Sequence, residues 1–171
     1  ILHIPHASRI VPPEVRQTFL LSDNELQQEL LRMTDAFTDE LFTKNTAMVH
    51  QIVFPVSRLV TDPERFIDNN HEPLAEQGMG VVYTRTSEGE RFRDHLTDSE
   101  REQLISTYYY PHHKRLHVAV KQQLDEHNWC VILDCHSFPS LPLPYENDQS
   151  LERPDICIGT DSFHTPEWLS G

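Results

Sequence analysis

The chain has 171 residues, 37% hydrophobic and 24% charged, which suits one soluble globular domain with its own core. Its formal charge of −13 argues against nucleic acid or an anionic membrane as the main partner. No apolar stretch approaches the length of a membrane span and none reads as a signal peptide; three cysteines read as reduced thiols make a cytoplasmic location the expectation.

Ile1 to Ile4 reads as a short strand, followed by a turn at Pro5-His6-Ala7-Ser8 that leaves His6 just past a strand end. Taken alone, His6 is more simply a solvated turn histidine than a ligand. Ser22-Asp23-Asn24-Glu25 is a capping box: the Ser22 hydroxyl accepts from the Glu25 backbone, and the Glu25 side chain reaches back. Leu26, Leu30, Met33, Phe37 and Leu41 recur behind it at helical spacing, predicting one helix or two to about Phe42. On a continuous helix Asp35 and Asp39 lie opposite that stripe, in water. A functional Asp35 requires a break near Thr34-Asp35.

Ala47 to Phe54 is the second expected strand, ended by Pro55. Ser57-Arg58-Leu59-Val60-Thr61-Asp62-Pro63-Glu64-Arg65 then carries Asp62 and two arginines into a loop reaching about Gly80. A guanidinium offers a bidentate fork to a carboxylate, although surface pairing with Glu64, Asp62 or Asp68 explains lone arginines as simply. Gly80 to Thr86 reads as a strand or an extended lid segment, close to the clustered Gly78, Gly80 and Gly89. Thr97-Asp98-Ser99-Glu100 is a second capping box, opening a long helix to about His127 with Ile105, Tyr109, Leu116 and Val120 on its buried stripe. Pro111 removes a backbone donor inside it, so a kink or a fresh start is expected there. His112 falls within the stripe, where it reads as a core-edge histidine, and His113 falls on its flank.

The chain is organised around Cys130-Val131-Ile132-Leu133-Asp134-Cys135-His136-Ser137. An unbroken apolar run reads as a strand buried on both faces, and its polar residues stand at the C-terminal end, where open α/β sheets bind ligands. A long loop follows from Pro139 to Pro154, and Asp155 to Thr160 is expected as a last buried strand. Cys130, Cys135 and Cys157 all lie in or beside apolar runs and are read as reduced, buried thiols. Strands alternating with helices point to an α/β sandwich with a largely parallel or mixed sheet.

Three strand ends deliver His6, Asp62 and His136 with Asp134, and helices add Asp35 or His113 as candidates. Two imidazoles, a carboxylate and an open position form the ligand set of a catalytic zinc site, although no compact His-Glu-x-x-His signature marks one here. A cysteine nucleophile at Cys135 with His136 is disfavoured, because neighbours on a strand point to opposite faces.

Ile4-Pro5-His6-Ala7, Thr34-Asp35, Ser57 to Arg65, Pro111-His112-His113, Asp134-Cys135-His136-Ser137 and Ile158-Gly159-Thr160 occur in an order that resembles the N-formylglutamate amidohydrolase family. The resemblance implies a three-layer α/β sandwich with a mixed, largely parallel central sheet, akin to zinc carboxypeptidases and aspartoacylase-type deacylases. It implies Zn2+-dependent hydrolysis of a small anionic N-acyl amino acid; N-formylglutamate would give formate and glutamate. It implies His6, Asp35 and His136 as metal ligands, and therefore a helix break at Asp35. It assigns Arg58, Arg65 and Ser137 to substrate binding and Asp62, His113 and Asp134 to the catalytic machinery. Residues 1–171 are expected to form one catalytic-type domain lacking part of the family's C-terminal region, where a late general-base Glu would lie. One departure stands out: the family's Asp-x-Asn-Arg is Asp62-Pro63-Glu64-Arg65 here. That change keeps two rivals open, a hydrolase of another N-acyl amino acid or small peptide, and a non-catalytic metal-binding or ligand-sensing relative.

Overall fold

The computed structural model describes residues 1–42 and 49–170. Strand β1 (Leu2–Ile4) lies between β2 (Gln51–Val53) and β3 (Leu133–Asp134), and both pairings are parallel. His3 pairs with Ile52 on one side and with Asp134 on the other. Because all three strands run the same way, their carboxyl ends share one edge. His6 and His136, each two residues beyond a strand, therefore emerge together.

Three helices follow β1: α1 (Pro13–Arg16), α2 (Asp23–Met33) and α3 (Thr38–Leu41). The Ser22 capping box forms as the sequence predicts, with both reciprocal hydrogen bonds in place. Helix α2 stops at Met33, and Thr34 is extended at φ −92° and ψ 132°. The Asp35 N–H then donates to the His6 carbonyl at 3.1 Å. Phe37 adopts a left-handed conformation, φ 64°, before α3 begins. The break that the family resemblance requires is there, and it buries Asp35.

The second half holds α4 (Asp98–Leu104), a π-helical stretch at Ile105–Tyr109, α5 (Tyr110–His127) and α6 (Glu167–Ser170). The Thr97 capping box also forms. Pro111 lacks the N–H that would reach back one turn, and the helix widens just before it, so the fresh start takes this form. Among the described residues, no helix is long and apolar enough to cross a membrane.

The main core packs α1 and α2 against the segment from Phe54 to Val60 and against Met79, Tyr83 and Phe92. Fully burying each such side chain is worth about 1.5–3 kcal/mol. Arg93 is also buried: its guanidinium donates to the carbonyls of Leu59 and Val60 and lies 4.8 Å from the Phe19 ring. The run that carries Arg58, Asp62, Glu64 and Arg65 is thus anchored from beneath.

Several expectations are corrected. Strand β3 is not buried on both faces, since Ile132 and Leu133 are about half exposed and β1 is its one described neighbour. The described sheet is wholly parallel rather than mixed. Gly80 to Thr86 forms no strand and is irregular apart from an isolated bridge between Arg85 and Arg91, although Val81, Val82 and Tyr83 are buried. Asp155 to Thr160 is neither strand nor buried: Ile156 is 83% exposed and Ile158 is 80% exposed. Of the second expected strand, Gln51–Val53 forms, while Ala47 and Met48 lie outside the described residues. The thiols are free, but only Cys135 is buried; Cys157 is exposed.

Candidate functional site

The carboxyl edge of the sheet brings two imidazole rings within 5.4 Å, centroid to centroid, those of His6 and His136. His6 Nε2 lies 2.9 Å from Asp62 Oδ1, so this nitrogen carries the proton and donates it. His6 Nδ1 is buried without a hydrogen-bond partner, and Asp35 Oδ2 stands 3.7 Å away. The same Asp35 oxygen is 2.8 Å from His136 Nδ1. Asp35 therefore faces the Nδ1 edge of both rings.

Glu64 faces the opposite edge, with Oε2 at 3.3 Å from His6 Nε2 and Oε1 at 3.4 Å from His136 Nε2. Donor atoms of His6, Glu64 and His136 all lie within 4.8 Å of one another, and so do those of His3, Glu64 and Asp134. An orphaned buried nitrogen, a second imidazole and converging carboxylates fit a divalent cation, the pattern of a zinc site whose ligating imidazoles are backed by carboxylates.

The electrostatics point the same way. Burial is the largest influence on His6 and pulls its imidazolium down, but the Asp62 and Asp35 carboxylates together outweigh it and raise the pKa above the ordinary value. Burial likewise opposes the charge on His136, yet the Asp134, Asp35 and Glu64 carboxylates around the ring leave it pushed up to about 12. Burial favours the acid form of Asp35 and Asp62, and Asp134 is half exposed, yet their imidazole and guanidinium neighbours hold all three below the usual carboxylate range. The cluster favours positive charge between its carboxylates, which an ion supplies as well as two protons do.

Asp62 is fully enclosed. Besides His6 it takes Arg58 Nη2 at 2.8 Å, Arg58 Nε at 3.1 Å and the Tyr83 hydroxyl at 2.7 Å, all three on Oδ2. The Arg58 fork is thereby engaged. Arg65 is less committed: its Nε has no hydrogen-bond partner and stands 3.8 Å from Asp62 and 3.9 Å from Glu72. Of the two arginines, Arg65 has the freer capacity for a ligand carboxylate.

His113 is not drawn onto the imidazole pair. Its Nε2–H donates to the Pro63 carbonyl at 2.8 Å and its ring lies 4.2 Å from that of Tyr109, so it braces the loop between Asp62 and Glu64. The Ser137 hydroxyl donates to the Ala36 carbonyl at 2.9 Å, which ties the exit of β3 to the Asp35 turn. Asp134 accepts from His3 Nδ1 at 2.7 Å and lies 3.7 Å from His136 Nε2. Cys135 is buried, which raises its thiol pKa, and its Sγ donates to the Leu133 carbonyl, so it is no nucleophile for His136.

Sequence reasoning gave no role to His3 or Tyr83, missed the bonding of His112, and marked Glu64 as a departure without placing it against the imidazoles. His3 Nε2 and His112 Nε2 are 2.8 Å apart, so one must donate. Burial drops the His112 pKa to about 3, which keeps that ring neutral. His3 donates through Nδ1 to Asp134, so its Nε2 accepts and His112 Nε2–H is the donor. The bare His112 Nδ1 then has no partner, which is less costly than an orphaned N–H would be. A signal did exist for His3: it interrupts an otherwise apolar strand, Ile1-Leu2-His3-Ile4.

A solved N-formylglutamate amidohydrolase from Ralstonia eutropha JMP134 superposes with a TM-score of 0.69 at 20% sequence identity, covering 81% of this chain and 53% of that one. The two share a fold over the matched region, and the chain spans about half the length of that solved protein. No curated protein sequence matches the chain. The family model for N-formylglutamate amidohydrolase matches residues 1–169, and the chain belongs to that family.

Proposed function

We propose that this site is the metal centre of a zinc-dependent amidohydrolase acting on an N-acyl amino acid, N-formylglutamate or a close analogue, and that its fold is the three-layer sandwich of the zinc carboxypeptidases. The observation that carries this reading is the buried His6 Nδ1, without a hydrogen bond and facing Asp35 beside His136. His6, Asp35 and His136 would hold the ion. When bound there, zinc polarises an amide carbonyl and brings the pKa of a coordinated water to about 7.

The chain's own residues supply the rest. Asp62 fixes His6 with its proton on Nε2 and leaves Nδ1 free. Arg65 takes the amino-acid carboxylate through a guanidinium that still has donors to give. His3 holds Asp134, whose carboxylate stands 3.7 Å from His136 Nε2. Amide cleavage adds water across the C–N bond, so formylglutamate yields formate and glutamate.

Zinc content paired with His136→Ala tests the site: wild type carries stoichiometric zinc and the variant loses it. Chelation abolishes turnover and added zinc restores it; full activity in metal-free protein excludes the mechanism. Comparing formyl-, acetyl- and succinyl-glutamate identifies the acyl group. A second reading, a metal-binding relative without catalysis, is favoured by Glu64, which places an anion next in sequence to Arg65. Stoichiometric zinc with no turnover of any acyl amino acid would support it.

A further inference from the structure

The loop that presents Glu64 is fixed at several points. The Pro63 carbonyl is held by His113 at 2.8 Å, and the Glu64 N–H donates to Asp62 Oδ1 at 3.0 Å. The side chain is largely covered, 20% exposed, and it turns back over the imidazoles rather than outward. The two rings differ in what else backs them. His6 Nε2 has a closer acceptor in Asp62, at 2.9 Å against 3.3 Å for Glu64. His136 Nε2 has none closer than Glu64 at 3.4 Å; Asp134 is at 3.7 Å and already takes the His3 proton at 2.7 Å.

On the reading that the ion sits on the Nδ1 edge with Asp35, His136 needs an acceptor for its Nε2–H. We propose that Glu64 is that acceptor: a positioning residue that does for His136 what Asp62 does for His6. The carboxylate fixes the ring's tautomer and orientation and raises its basicity as a ligand. It also adds a negative charge beside the centre that an asparagine at the same place would not. The substitution therefore tightens the grip on the ion rather than merely altering a substrate contact. This inference rests on the function proposed above.

The test is zinc affinity, measured by competition with a chromogenic chelator in the purified protein. Glu64→Gln and Glu64→Asn weaken binding about 10–100-fold, the usual loss for an outer carboxylate. Glu64→Asp, which keeps the charge, recovers part of it. Nitrogen-15 spectra of the zinc-loaded wild type show His136 protonated at Nε2, and that signal broadens through exchange with solvent in Glu64→Gln. If wild type binds zinc stoichiometrically, His136→Ala abolishes it and Glu64→Gln binds as tightly as wild type, the Glu64 role is overturned and the metal reading stands. If wild type itself takes up no zinc, both fall.

Discussion

Asp62 meets His6 through one carboxylate oxygen, Oδ1 to Nε2 at 2.9 Å, and gives the other to Arg58 and Tyr83. The acid is completely buried, so the bond is formed without competing water. It decides which nitrogen of His6 carries the proton and so which one is left for an ion. The same carboxylate engages Arg58, and that leaves Arg65 as the cation with donors to spare.

Removing this charge is expected to be costly. Asp62→Asn leaves Arg58 buried without its partner, a loss of about 3–5 kcal/mol. Zinc affinity falls with it, about 10–100-fold, because His6 is no longer held in one tautomer. Urea unfolding and chelator competition on the same variant check both.

The pH dependence follows from the same group. Asp62 titrates well below its ordinary value; burial opposes this, and Arg58 and His6 overcome it. Its contribution is therefore present above the unfolded pKa of about 3.9 and is lost as pH falls from there toward the folded pKa. Asp35 is lowered too, so it shares this limb. Unfolding midpoints measured from pH 5 down to pH 2 should fall less steeply in Asp62→Asn than in wild type.

A second buried acid ties the helical layer to the turn region. Glu29 is 3% exposed and accepts from the Ser87 N–H at 2.6 Å and from the Ser87 hydroxyl at 2.9 Å. Glu29→Ala leaves those donors buried and unpaired, at a cost of about 1–3 kcal/mol each. Glu29→Gln keeps an acceptor and loses less. Thermal unfolding of the pair should rank Ala below Gln below wild type.

Much of this was readable from local signals. The two capping boxes use reciprocal bonds within four residues, so the sequence contains both partners. His6 and His136 were placed by strand ends, and parallel pairing put those ends on one edge. Asp35 was different: helical phase alone sends it into water, and only the family pattern required the break after Met33. Glu64, His3 and Glu29 take their partners from distant segments, which no local period encodes. Asp155 to Thr160 shows the opposite failure, an apolar run with no described strand beside it to make it one.

The capping boxes give a clean pair of stability tests. Ser22→Ala and Thr97→Ala each remove one acceptor for an orphan helix N–H, at about 1 kcal/mol apiece. The sites head different helices and share no partner, so the double variant should lose the sum within about 0.5 kcal/mol. A larger loss by chemical denaturation would mean that α2 and α4 are coupled more tightly than their contacts suggest.

His112→Phe tests the buried histidine pair. The variant keeps an aromatic ring, slightly larger, edge-on to Phe54, now at 5.0 Å between centroids, but loses the proton donated to His3. At pH 7 the unpaired His3 nitrogen costs about 1–3 kcal/mol. Below pH 6.5 the two proteins should converge. Burial holds the His112 pKa down at about 3, so the unfolded chain takes up a proton before the folded one does, and wild type loses stability as pH falls through 6.5 toward 3. The phenylalanine variant has no such proton to bind. His6 and His136, whose values are raised, contribute fully below pH 6.5 and so are flat in this window in metal-free protein. Asp62 and Asp35 act below about pH 3.9. The interval from pH 6.5 to 4 therefore isolates His112. Parallel stability curves for the two proteins across it would show that the fold does not hold His112 in its neutral form.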